Sequence, residues 1–147
     1  MSLRRFLPEG GNIVVIGCGR LGSYIADALS KEGHSVVVID VRSQAFEQLT
    51  AEFSGFTVEA DATEFGVLKN ARMEKADMVI ACTEDDNVNL LVSQVARKVF
   101  GTRNVLARVS DSDRQALCGR LEIQTICPSR VVGDMFLGAV HEALRGD

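Results

Sequence analysis

The chain carries no excess of positive charge anywhere along its length. Its 147 residues hold 16 Lys and Arg against 20 Asp and Glu. The two halves share the deficit: 7 basic with 9 acidic side chains in residues 1–73, and 9 with 11 in residues 74–147. Without a basic patch, nothing in the composition attracts nucleic acid or an anionic membrane surface. Apolar runs longer than a strand are also missing, which argues against direct membrane insertion. The opening MSLRRFLPEGG lacks the apolar stretch of a signal peptide, so a cytoplasmic location is expected. The four cysteines, at 18, 82, 118 and 127, form no C-x-x-C pair and have no histidine nearby. No metal site is expected from them; they read as small buried thiols in a reducing compartment. A catalytic set is lacking too. His34 sits in a turn and His141 near the end of the chain, neither spaced to pair with a nucleophile or carboxylate.

What is present is concentrated in NIVVIGCGRLG. An apolar run, Ile13 to Ile16, leads into glycines 17, 19 and 22. These open a helical pattern with Leu21, Ile25, Ala28 and Leu29 on one face. A second apolar run, Val36 to Ile39, ends in Asp40. Strand, glycine turn, helix, strand and acid in that order form the dinucleotide fingerprint. Gly17 permits the tight turn, Gly19 lets backbone approach a pyrophosphate, and Gly22 lets the helix lie close on the sheet. The helix N-terminus then offers unpaired N–H groups to the phosphates.

Six strand-like runs alternate with helical stretches: 13–16, 36–39, 56–59, 78–81, 105–109 and 123–126, with helices near 20–32, 43–53, 64–71, 85–100, 111–119 and 129–144. No linker, repeat or low-complexity segment divides them. The expected fold is α/β, a Rossmann-like, doubly wound, parallel six-stranded sheet with helices on both faces. Residues 12–147 form one domain behind an N-terminal extension, 1–11. The helix at 85–100 shows an apolar stripe of Val88, Leu91, Val92, Val95 and Val99. The last helix leaves little polar surface around its circumference, with Val131, Val132, Met135, Phe136, Leu137, Val140 and Leu144 among its apolar residues. Such a helix needs cover on more than one side, and a homo-oligomer is the favoured source.

Candidate binding residues gather at the carboxyl ends of strands, where open parallel sheets hold their ligands. The turn supplies Gly17, Cys18, Gly19, Arg20, Leu21 and Gly22. Asp40 is placed to accept hydrogen bonds from adenosine ribose hydroxyls and disfavours a 2′-phosphate; Val41 and Arg42 follow it. Arg20 stands at the helix start beside the phosphates, or is simply a solvated arginine. Asp61, Ala62 and Thr63 fit the rim of an adenine pocket or, equally, a helix N-cap. Cys82 and Thr83 lie near the switch point, where Thr83 also suits a capping role. Arg108 is a charge in an apolar strand, hence paired or ligand-facing.

Taken together these residues resemble the N-terminal domain of potassium-conductance regulators, the RCK or KTN (TrkA-N) domains of bacterial Trk and Ktr uptake systems. The GCGRLG turn, VVVID, the ADAT stretch at 60–63 and Thr83, Asp86 and Asn89 in T-x-x-D-x-x-N carry the resemblance. ARVSDSD at 107–113 and CPSR at 127–130 complete it. Ala60 stands where members usually have glycine, and many members continue into a further C-terminal lobe. The resemblance implies that Gly17, Gly19, Arg20, Gly22, Asp40, Asp61, Ala62, Thr63 and Thr83 bind an adenine nucleotide (NAD(H), ATP, ADP or AMP), with Arg108 near the phosphates. It also implies a regulatory subunit rather than an enzyme, peripheral to the inner face of the cell membrane. Its partners are further copies of itself, as a dimer or higher ring, and a potassium-transporting membrane subunit whose pore it gates. The rival reading is a small NAD-dependent oxidoreductase or its cofactor-binding domain.

Overall fold

A computed structural model describes residues 7–146 of the chain. The expected extension over 1–11 therefore lies outside the described residues as far as residue 6. Six strands form one parallel sheet: β1 (Asn12–Ile16), β2 (Ser35–Asp40), β3 (Phe56–Glu59), β4 (Met78–Ala81), β5 (Asn104–Arg108) and β6 (Gln124–Ile126). Their spatial order is β3-β2-β1-β4-β5-β6. Chain direction reverses its progress across the sheet between β1 and β4, and the carboxyl ends of those two strands frame a crevice there. Every strand expected from the apolar runs is present, within a residue at each end.

Parallel strands buried on both faces read as continuous apolar runs, and β1 shows why. Val14 and Ile16 face one core with Val79, Ala81, Val92 and Ala96; Ile13 and Val15 face another with Val36, Val38, Ile80 and Ala26. Helix α1 (Arg20–Lys31) covers the second core, while α2 (Phe65–Asn70) and α3 (Asp86–Lys98) cover the first. Two further helices, α4 (Ser112–Gly119) and α5 (Pro128–Arg145), flank β6 in the chain.

Three expectations need correction. The helix expected over 43–53 is a 3₁₀ turn, Ser43–Gln48, followed by irregular chain. Side chains of α1 take over its backbone donors: the Asp27 carboxylate accepts from Thr50 N–H at 3.2 Å and the Ser30 hydroxyl from Ser54 N–H at 3.1 Å. Only part of the apolar stripe of α3 packs inward: Val92 is fully buried and Val88 and Val95 lie against the first core, while Leu91 and Val99 are exposed at 45% and 60%. Asn89, Ser93 and Ala96 are buried beside Val92, where small side chains let the helix approach the sheet. Nor does Thr83 cap α3. Asp85 does, its carboxylate accepting from Asn87 N–H at 2.8 Å and Val88 N–H at 3.3 Å.

Helix α5 has no buried residue. Met135 and Phe136 are each 71% exposed and Leu144 78%. So the demand for cover that its composition sets is unmet within one copy. Among the described residues no helix is long and apolar enough to cross a membrane.

Candidate nucleotide-binding site

The carboxyl ends of β1, β2, β3, β4 and β5 open on one cleft of about 1130 Å³. That exceeds the roughly 300–1,000 Å³ usual for small-molecule pockets, and leaves room for a dinucleotide. Its floor is the glycine turn. Gly17 has φ +96°, a conformation in which side chains are strained. Its N–H donates to the Ile39 carbonyl at 2.8 Å, joining β1 to β2 where both end. A Cβ on Gly17 would stand 3.0 Å from the backbone of Thr83. One on Gly19 would meet nothing within 4 Å, so the protein itself makes no steric demand at that glycine. No side chain caps α1, and Arg20 and Leu21 of its first turn line the cleft.

Asp40 forms the wall on the β2 side. Its Oδ2 accepts from Cys18 N–H at 2.8 Å and its Oδ1 from Arg42 N–H at 2.9 Å. The carboxylate thus ties the glycine turn to the end of β2 and holds both itself and the turn in place. Each oxygen keeps lone-pair capacity for a further donor. Val41 and Arg42 complete this wall, with Gln48, whose Nε2 donates to the Cys18 carbonyl at 3.2 Å.

Ala60, Asp61, Ala62 and Thr63 line the β3 side. Asp61 Oδ1 accepts from both the Thr63 hydroxyl (2.6 Å) and its N–H (2.9 Å). Those two bonds, the hydroxyl's first, hold the Asp61 carboxyl below its ordinary range. The pair builds a turn ahead of α2 rather than its cap; the helix itself starts after Glu64 without a side-chain bond.

On the opposite side stand Cys82, Thr83, Glu84 and Asp85, then Arg108 from β5 and Pro128 at the start of α5. Burial pushes the Cys82 thiol up to about 12, with Arg108 opposing, so it stays protonated at neutral pH. Burial, then the Asp40 charge, pushes Cys18 up to about 11. Half-buried Arg108 makes no ion pair among the described residues. Its guanidinium and those of exposed Arg20 and Arg42 are the cations that line the cleft.

Every residue singled out from the sequence therefore lines this cleft, apart from Cys18 and Gly22. Cys18 contributes its N–H to Asp40 while its side chain is fully buried. Gly22 lies behind the turn, packed on Gly17. Gln48 and Pro128 are among the lining residues that the candidate set left out. The signal for Pro128 was its place just after a strand, at the same sheet edge as the others. Among the described residues no three His, Cys, Asp or Glu side chains converge to hold a metal ion.

The family model for the TrkA-N domain matches residues 13–128. The Trk system potassium uptake protein TrkA of Streptomyces coelicolor is 38% identical over 126 residues, 86% of this chain and 56% of that protein. A TrkA homolog of Pyrococcus abyssi is 30% identical over 71% of this chain and 46% of its own length. The chain thus spans about half the length of these relatives. Among solved structures, the TrkA-N domain of inner membrane protein ybaL from Escherichia coli superposes with a TM-score of 0.78 at 20% identity, over 88% of this chain and 96% of that one. Shewanella denitrificans Kef CTD in its AMP-bound form gives 0.72 at 19%, over 92% and 82%. The GsuK channel bound to NAD gives 0.71 at 20%, over 84% and 22%. At these identities the structures speak to the fold alone.

Proposed function

The chain belongs to the TrkA-N domain family, and on that premise we propose that it binds an adenine nucleotide and regulates a potassium uptake system without catalysing a reaction. Residues 12–147 act as one nucleotide-binding domain whose last helix, α5, joins copies of the chain. The ligand is NAD(H), ATP, ADP or AMP. Its adenosine ribose is held at Asp40, its phosphates lie over Gly17 to Gly22 with Arg20 and Arg108, and its adenine sits near Asp61 to Thr63. The assembly sits in the cytoplasm, beneath a potassium-transporting membrane subunit.

One observation carries this reading. The cleft runs from the glycine turn to Pro128, the first residue of α5, and α5 is the element whose apolar side chains lie exposed. A ligand in the cleft therefore touches the base of the surface through which copies would join. A nucleotide shifts an assembly only by the difference in its affinity for two arrangements, and contact with Pro128 offers a place for that difference to arise. The AMP and NAD bound to structures of the same fold support an adenine nucleotide as the ligand class. Burial keeps the Cys82 thiol of the cleft wall protonated, so it offers no thiolate nucleophile at neutral pH.

Calorimetric titration with ATP, ADP, AMP, NAD and NADH, with light scattering on the same samples, tests the reading. Selective binding that alters assembly mass, without turnover of reduced cofactor, is expected. Nucleotide-dependent oxidation or reduction of a substrate would replace the reading with an oxidoreductase.

A further inference from the structure

Asn89, in the first turn of α3, is completely buried, and every polar valence of its side chain is engaged. Its Oδ1 accepts from Thr83 N–H at 2.9 Å and from the Thr83 hydroxyl at 2.7 Å. Its Nδ2 donates to the Thr83 carbonyl at 2.9 Å and to the Arg108 carbonyl at 3.0 Å. A backbone N–H can only donate and a carbonyl can only accept, so the partners themselves decide which way the amide points. Two donors and two acceptors on one short side chain are an asparagine's own inventory; aspartate lacks the donors and leucine lacks both.

The consequence is geometric. One amide ties the residue that follows β4 to the last residue of β5, and both Thr83 and Arg108 line the cleft. Thr83 backbone in turn packs within 3.0 Å of where a Cβ on Gly17 would stand, so its placement limits where the glycine turn can lie. Asp86, the first residue of the same helix, accepts from Ser110 N–H (3.0 Å) and the Ser110 hydroxyl (2.8 Å). It thereby fixes the chain beyond Arg108 from the other side. Asn89 itself does not reach the cleft wall.

We propose that Asn89 is a positioning residue of the nucleotide cleft, which seats Thr83 against the glycine turn and aims Arg108 at the ligand's phosphates without touching the ligand. This rests on the nucleotide-binding reading above. Its signature is selectivity. Arg108 is the positioned group that acts on phosphate, so losing its tether weakens phosphate-bearing ligands and spares the nucleoside.

The test compares ATP and adenosine affinities for the wild-type chain, Asn89→Ala, Arg108→Ala and the double variant. A hydrogen bond to a charged group's support is worth about 1–2 kcal/mol, so a loss of roughly tenfold in the ratio of ATP to adenosine affinity is expected for Asn89→Ala. In the Arg108→Ala background the same substitution should leave that ratio unchanged, because the group being aimed is gone. Asn89→Ser, which retains one donor and acceptor for Thr83, serves the same comparison if the alanine variant does not fold. Equal weakening of ATP and adenosine would overturn the inference, as would a ratio that falls just as far without Arg108. A wild-type chain that binds neither ligand would instead remove the functional reading, and the inference with it.

Discussion

The carbonyl of Gly17 occupies the space into which a Cβ on Gly22 would project, with the Cys82 sulfur 3.2 Å from that point on another side. Helix α1 lies as close to the glycine turn as it does only because residue 22 has no side chain. Gly22→Ala must therefore push the helix away from the turn or distort the turn itself. Overpacking against rigid backbone belongs to the severe class of substitutions, and a loss of about 3 kcal/mol or more is expected in urea denaturation. Gly19→Ala, into open space, should leave folding stability within about 1 kcal/mol and reveal its effect in ligand affinity.

Asp40 serves the fold and the proposed ligand together. Removing it leaves the N–H groups of Cys18 and Arg42 without their acceptor and takes away the proposed ribose contact. Asp40→Ala should weaken ATP, ADP, AMP and NAD alike, by about tenfold or more. NADPH should bind less tightly than NADH to the wild-type chain, because a carboxylate beside a 2′-phosphate is repulsive. Calorimetry on the one variant and the two cofactors checks both.

Arg20 opens α1 and lies exposed on the cleft. Its contribution should grow with the phosphate count of the ligand. Arg20→Ala is expected to lower ATP and ADP affinity more than AMP affinity. Equal losses for all three would remove the phosphate role assigned to this arginine.

The buried thiols set an alkaline limit on stability. Burial moves Cys18 from the ordinary value of 9.0 to about 11 and Cys82 to about 12. Between pH 9 and those values the unfolded chain has lost thiol protons that the folded chain retains. Stability is therefore complete below pH 9 and falls as pH rises toward 11 and 12. Melting temperature measured from pH 7.5 to 10.5 should decline above pH 9, and Cys82→Ala should make that decline shallower.

The exposed face of α5 should govern assembly. Phe136, 71% exposed in the single copy, is expected to be covered when copies join. Phe136→Glu should shift the mass seen by light scattering toward the monomer. Nucleotide binding to the domain should survive, because Phe136 lies away from the cleft wall.

The parts of the fold legible in the sequence are those whose cause is local. A glycine turn needs its φ and its close approach at particular positions, and a parallel strand buried on both faces is a continuous apolar run. β1 through Asp40 could be read for those reasons. The segment after Asp40 could not, because Asp27 and Ser30, some two dozen residues earlier on α1, hold its backbone donors. The inward face of α3 was legible only in part. Asn89 and Ser93 are polar yet fully buried, while Leu91 and Val99 face outward, so apolar periodicity marked only Val88, Val92 and Val95 of that face. Gln48 and Pro128 reach the cleft only through tertiary placement, one by its bond to the Cys18 carbonyl and the other from the end of β6. Arg20, Asp40, Thr83 and Arg108 needed only the rule that strand ends meet at one edge.

The lack of any buried residue on α5 also bears on how the chain melts. Helix α5 carries three valines and two glycines among its 18 residues, a composition that is marginal as a helix in water without tertiary packing, and none of its residues is fully buried on the domain it follows. On the proposed assembly through α5, the chain should behave as two cooperative units rather than one. The sheet domain should melt at a temperature indifferent to dilution. Helix α5 should unwind at a temperature that climbs with protein concentration, the outcome expected where its order comes from the proposed association of copies.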